Sequence, residues 1–526
     1  MTKCTIGAAL LISCVGAVTA GAQQATAIRN VRLFDGDSVT AGMTVVASNG
    51  RIVAIGADAA VPAGATVIDG AGRTLLPGLV DAHTHTMSVG QLRSALAFGV
   101  SVHLDMFTAP QVMKTLAVRS PGHADLHTAG VIGTPPGGHG TQFGVPIPTI
   151  SNPADAASYV ADRVADGSEW IKVAVDDFGT YGGRRATLDS ATVAAIVREA
   201  HAHNLKVVAH VASLAAARAV IGAGVDGLVH IWTDRTPPAA FLDLMRARGT
   251  FVIPTMTVTT SLSGTGGSAA LAADPRVAPM ITPADEQNAR ASFTPNDRWT
   301  ASIDSANASL ASLVRAGIPL LAGTDAPNPG TIYGASMHRE LELLVSGGLT
   351  PVQALRAATS IPARAFGITG AGTVAVGGPA TFVLVDGDPT ADITATRAIV
   401  DVFKDGVRFD RARYRDEVAS VRQAAAAPVV KHGAGMVSNF EEGRPSSTVG
   451  AGWVPSTDAM AGGTSTATLE VVEGGAAATS RALVVRGTVN GGTASPWAGA
   501  MWFPAAQPMQ PADLSATGGL QLPGEG

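Results

Sequence analysis

Cysteine is nearly absent from this 526-residue chain, which has two, Cys4 and Cys14. Beyond residue 14 there is no thiol, and that excludes a disulfide framework, a thiolate nucleophile or a cysteine metal ligand in the body of the protein. Charge is also scarce: 15% of residues are Asp, Glu, Lys or Arg, while 46% are hydrophobic. An average globular chain carries about 25% charged residues, so disorder along most of the length is excluded. The 36 basic and 41 acidic side chains leave a net charge of −5 without any block of Lys or Arg. Neither a nucleic-acid groove nor an anionic membrane surface is therefore an expected partner. What is abundant is glycine, 61 residues, with 31 prolines, a composition of turns and loops rather than of a helical bundle.

The cysteines belong to a leader. Lys3 precedes an apolar run over 6–18, and Ala20-Gly21-Ala22 before Gln23 has the small-x-small form of a cleavage site. Residues 1–22 are predicted to be a signal peptide, and the protein to be periplasmic or secreted. The run is too short for a membrane span, which takes about 20 apolar residues. Lipidation of Cys14 is the competing reading, disfavoured because the apolar stretch before it is short and the residues after it remain apolar.

Short β-rich pieces fill 27–76, broken by turns at Asp35-Gly36, Asn49-Gly50 and Asp69-Gly70. The same texture returns over 368–415, with turns at Asp386-Gly387 and Asp405-Gly406. The two flanks predict one composite β-sandwich. Between them, 77–367 alternates apolar β-branched runs with helical patterns such as 190–203, where Val193, Ile196, Val197 and Ala200 recur at helical spacing. Eight strands are expected, at 79–85, 100–106, 125–132, 170–175, 206–211, 227–232, 250–256 and 319–323. The fold class is α/β, a (β/α)8 barrel in which active-site residues stand at strand C-terminal ends. Residues 259–300 interrupt the pattern; they fit a loop folded over a substrate or a plain surface excursion. Residues 416–436 are expected to be a linker.

Six residues of chemical interest stand at those strand ends. His83 and His85, in Asp81-Ala82-His83-Thr84-His85, are two apart on a strand, so both imidazoles point the same way. Neutral imidazoles with a carboxylate suit zinc and similar divalent metals. Lys172 is on the fourth strand, His210 on the fifth, His230 on the sixth and Asp325 just past the eighth. Taken singly, each has a plain structural explanation: Lys172 paired with Asp176 or Asp177, a satisfied strand-end histidine, an aspartate capping a helix. Their coincidence at strand ends favours a metal site.

The run from Leu76 to His85, with Lys172, His210, His230 and Gly323-Thr324-Asp325, resembles the amidohydrolase superfamily, in its imidazolonepropionase-like and prolidase-like branch. The likeness covers about 27–414. It implies two divalent metal ions, taken as zinc, with His83, His85 and Asp325 on one and His210 and His230 on the other. Lys172, carboxylated by carbon dioxide, would bridge them. It also implies an enzyme, a metal-dependent hydrolase of carbon–nitrogen bonds, in which a bridging hydroxide attacks the carbonyl and Asp325 relays the proton. His139, in a Gly-Gly-His stretch after the third strand, would donate to the developing oxyanion. Tyr181, Arg184, Arg185, Trp232 and Tyr333 are the candidate substrate contacts.

The expected substrate is small, such as an N-acyl amino acid or a dipeptide. A lactonase, carboxylesterase or phosphotriesterase on the same site is the alternative, then a mononuclear deaminase or a non-catalytic binding protein. A homo-oligomer is compatible with all of these. Over 437–526, Asn439-Phe440-Glu441-Glu442-Gly443, Trp497-Ala498-Gly499-Ala500 and Ala512-Asp513-Leu514-Ser515 resemble the first half of the complex I intermediate-associated protein family, a galactose-binding-like jelly roll.

Overall fold

The computed structural model describes residues 25–143, 147–264, 267–426 and parts of 430–514. The leader lies outside the described residues. Five strands come first: β1 (Thr26–Phe34), β2 (Val39–Ser48), β3 (Arg51–Gly56), β4 (Thr66–Asp69) and β5 (Arg73–Pro77). The middle holds β6 (Leu79–Thr84), β7 (Val100–Asp105), β8 (Asp125–Thr128), β9 (Ile171–Ala174), β10 (Val207–His210), β11 (Gly227–Val229) and β12 (Phe251–Ile253). After it come β13 (Phe382–Asp386), β14 (Ile399–Lys404) and β15 (Val407–Arg408).

Both flanks join one eight-stranded sheet, ordered β15-β14-β13-β5-β1-β2-β3, with β4 also on β1. The chains meet where β13 runs antiparallel to β5, Phe382 opposite Pro77 and Asp386 opposite Arg73. This sheet has its own core, including Ile28, Leu33, Ile52, Leu75, Phe382 and Phe403.

The middle strands form two parallel sheets, β6-β7-β8 and β12-β11-β10-β9. Each is covered by helices, which is why its strands read as continuous apolar runs. The helix Ser190–Ala202, capped by the Asp189 carboxylate on Thr192 N, buries Val193, Ile196, Val197 and Ala200. Isolated parallel bridges lie at both seams, Gly133 with Val173 on one side and Val252 with Leu320 and Thr84 with Ala326 on the other. The fold is mixed α/β, and among the described residues no continuous closed sheet forms.

Several expected strands are shorter than their apolar runs. The segment 319–323 is not a strand but a single bridge at Leu320, because Leu321 N donates to Val252 O while Ala322 N turns to Ala357 O at a helix end. The third strand stops at Thr128, ahead of a left-handed Gly130 with φ 66°. The sixth and seventh stop at Val229 and Ile253, because His230 and Thr255 adopt left-handed backbone with φ 69° and 48°.

The segment 259–300 contains short helices, the end of Met256–Leu262, then Ala269–Ala272 and Pro283–Arg290, joined by irregular chain. It is tied to the loop after Asp325 by the Asn288 amide, which donates to the carbonyls of Pro327, Asn328 and Thr331. Residues 416–426 of the expected linker belong to the helix Arg411–Ala426. Arg422 of that helix donates to Ile281 O and Ala278 O. Beyond it, Gly452–Thr457 pairs antiparallel with Ala498–Phe503, and Thr466–Glu473 with Arg481–Thr488. No helix among the described residues is long and apolar enough to cross a membrane.

Candidate metal centre

Just past β11, past β12 and past the bridge at Leu320 the chain turns through left-handed backbone at residues other than glycine: His230, Thr255 and Asp325, the last with φ 60°. For a β-branched residue such as Thr255 that conformation is costly, and strain of this kind concentrates at functional sites. The turn at Asp325 is held by a carboxylate beneath it. Asp81 Oδ1 accepts from His83 N at 3.2 Å and Thr324 N at 3.0 Å, while Oδ2 accepts from Thr324 Oγ1 at 2.7 Å. One fully buried side chain thus fixes the end of β6 to the residue before Asp325. Burial pushes the Asp81 carboxyl up to about 7, against the pull of these hydrogen bonds.

His83, His230 and Asp325 each bring one ligand atom within 4.8 Å of the others. His85 joins them: its Nε2 lies 3.0 Å from Asp325 Oδ1 and 3.3 Å from His83 Nε2. Two imidazole nitrogens facing each other and one carboxylate oxygen cannot all be satisfied by protons, and Asp325 Oδ1 makes no hydrogen bond of acceptable geometry. Burial, with neighbouring cations adding to it, holds His83 and His230 well below the usual imidazole range. Both rings are therefore neutral, the form that ligates metal. A divalent cation fits this donor set.

The ring of His210 stands 4.5 Å from that of His230, edge to face. Lys172, on β9, is 2% exposed. Among the described residues it forms no ion pair: Asp176 instead lies against His210, and Asp177 Oδ1 accepts from Gly179 N. Burial pushes the Lys172 amine down to about 7, against the opposing charges of Asp325 and Asp105. An amine so placed is neutral in large part and nucleophilic towards an electrophile such as carbon dioxide.

His139 stacks on His210 at 4.5 Å and lies 5.3 Å from the ring of Phe178. Tyr181 packs edge-on to Phe178 and to Trp299, bringing the long segment's end against the loop after β9. Thr300 N and Ala301 N both donate to Thr180 O there. The Arg185 guanidinium sits over Phe178 at 5.1 Å, and Arg184 is exposed. Tyr333 donates to His85 O at 2.5 Å and so braces the ligand strand.

Trp232 is a correction to the expected pocket contacts. It is fully buried and packs edge-on to Phe241 of the helix Ala239–Arg248, because the chain leaves the strand at His230 and turns into the helix layer. Asp81, Asp176, Thr255 and Trp299 are contacts that the strand-end pattern did not single out. A cleft of about 260 Å³ lined by Ser101, Arg119, Asp125, His127 and Glu169 lies at the starts of β7–β9, the opposite end from these ligands. Its charges are paired: Arg119 and Lys404 with Asp125, His127 with Glu169.

A mixed α/β fold that brings neutral histidines and a carboxylate together beyond its parallel strands presents a donor set suited to a divalent metal ion. Residues 136–408, more than half of the chain, match the Amidohydrolase family, and the chain belongs to it. The chain spans about a seventh of the length of the curated relatives it matches. A 65-residue stretch is 45% identical to the dihydroorotase of Mycobacterium tuberculosis (strain ATCC 25618 / H37Rv), covering 12% of this chain and only 14% of that enzyme. Among solved structures, an Xaa-Pro dipeptidase with methionine bound in its active site is 19% identical with TM-score 0.59, covering 73% of this chain and 100% of the other. The ochratoxinase of A. niger is 20% identical with TM-score 0.58, covering 74% and 95%. At these identities the two structures establish likeness of fold.

Proposed function

We propose that the protein is an exported amidohydrolase with a two-metal centre that cleaves the amide bond of an N-acyl amino acid or dipeptide. The observation that carries this reading is the convergence of His83, His85, His230 and Asp325 on one point, with His210 and the buried Lys172 beside it. Likeness to a dipeptidase supports the substrate class. In this reading the two middle sheets with their bridging segments are a (β/α)8 barrel, the flanking sheet is a composite sandwich, and 437–526 is part of a jelly-roll-like domain.

His83, His85 and Asp325 would hold one ion, His210 and His230 the other, and carboxylated Lys172 would join them. Two divalent ions, taken as zinc, supply Lewis acidity for the carbonyl and acidify a water at neutral pH. The Asp325 carboxylate accepts the proton of the attacking water and returns it to the leaving amine nitrogen. His139, stacked on His210, donates towards the carbonyl oxygen as charge develops. Tyr181 walls the mouth with Trp299, and Arg184 and Arg185 offer guanidinium charge to a substrate carboxylate.

The test is metal analysis of purified protein followed by turnover of N-acyl amino acids, dipeptides, lactones and phosphotriesters. About two ions per chain and preference for amides are expected. A chain that binds no divalent ion, or turns over only esters or phosphotriesters, defeats the proposal.

A further inference from the structure

Asp176 stands two residues past the end of β9, and its side chain is 3% exposed. Its Oδ1 accepts from Phe178 N at 2.9 Å, closing the turn. Its Oδ2 lies 3.2 Å from His210 Nε2. His210 closes β10 directly beside β9, with Ala174 opposite it and Val175 N donating to its carbonyl at 3.0 Å. The two strands therefore hold carboxylate and imidazole in fixed register.

A carboxylate oxygen 3.2 Å from an imidazole nitrogen is placed to accept from an N–H at that nitrogen. In a neutral ring that leaves the lone pair on Nδ1. We infer that Asp176 is a positioning residue which fixes His210 in its Nε2–H tautomer and so presents Nδ1 as the metal ligand. The inference rests on the two-metal reading above. A carboxylate behind a ligating histidine orients the ring and raises its basicity, and its loss commonly lowers metal affinity 10- to 100-fold.

The Asp176→Asn variant isolates this role. Asn has the same shape and keeps an oxygen for Phe178 N, but it turns amide donors towards Nε2. His210 must then accept at Nε2 and carry its proton on Nδ1, losing the lone pair aimed at the metal. The full-length chain, wild type and D176N, is titrated with zinc against a competing chelator. The thermal midpoint and the ring tautomers, the latter by nitrogen-15 NMR, are recorded on metal-free protein.

We expect Nε2–H at His210 in the wild type and Nδ1–H in the variant. Zinc affinity at one of two sites should fall about 10- to 100-fold with the metal-free midpoint unchanged. Unchanged affinity in D176N, or loss of affinity only alongside a lowered midpoint, overturns the inference while leaving the hydrolase reading intact. An Nδ1–H tautomer in wild-type protein overturns it without recourse to the variant. Wild-type protein that binds no zinc defeats the two-metal reading, and the inference falls with it.

Discussion

Replacing Lys172 with Met should make the metal-free protein more stable and at the same time inactive. The reason is the environment of the amine. Burial brings it to about 7 in the folded chain, whereas an unfolded lysine titrates near 10.4. The sign follows from linkage: the unfolded state binds the extra proton between these two values, so the cost is fully present below pH 7 and fades towards pH 10.4. With roughly 1.4 kcal/mol for each tenfold change in proton affinity, the cost is about 4 kcal/mol at pH 7 and about 1 kcal/mol at pH 9.5.

Methionine has nearly the length of lysine, is apolar, and suits a position only 2% exposed. Urea unfolding of metal-free protein in carbon dioxide-free buffer, at pH 7 and 9.5, measures the difference. The variant should gain up to about 4 kcal/mol at the lower pH, and the gap should narrow by roughly two thirds at the higher. It should also fail to retain a metal pair or turn over substrate. A Met variant that is less stable than wild type, or a gap independent of pH, would refute the reasoning.

Asp81 gives a contrast between two substitutions. Burial already carries its carboxyl to about 7, so Asp81→Asn, which mimics the protonated form and keeps an acceptor for His83 N and Thr324 N, should leave the thermal midpoint at pH 6 within a few degrees of wild type. Asp81→Ala strands three donors and should cost roughly 3 kcal/mol or more, with kcat falling because Asp325 loses its anchor; equal behaviour of the two variants would contradict this. Removing residues 427–526 should preserve activity and metal content. The helix Arg411–Ala426 still reaches the long segment through Arg422, so loss of turnover on truncation would show that the tail is needed.

Seven of the eight expected strands of the middle region were legible because parallel strands covered by helices must be apolar throughout, and such runs announce themselves. So were the polar residues that close them: His83, His85, His230 and Asp325 do meet, and Lys172 is buried nearby. The lengths of strands were not legible. The runs at 227–232 and 250–256 remain apolar past the points where His230 and Thr255 turn left-handed, and neither position carries the glycine that would have signalled it. Trp232 was misplaced for the same reason, since its side depends on that turn. The partners Asp176 and Thr255 belong to pairings between different strands, which no local pattern encodes.

Those hidden turns explain why the donors converge. A strand that ran on would alternate His230 and its neighbours between the two faces of the sheet. Stopping at Val229 frees His230 to face the other ligands, and stopping at Ile253 lets Thr255 Oγ1 reach His230 Nδ1 at 2.8 Å. Thr255 holds its strained conformation because the helix behind it begins at once. The fully buried Glu340 carboxylate accepts from Met256 N at 2.9 Å and from Thr257 N and Oγ1 at 2.8 Å. Burial pushes Glu340 up to about 7, so this cap costs stability in its ionised form. The Thr255 hydroxyl, which can donate or accept, holds His230 by its Nδ1, while the Asp176 carboxylate holds His210 by its Nε2. Two neighbouring histidines are thereby held through different ring nitrogens by side chains that lie outside the ligand set.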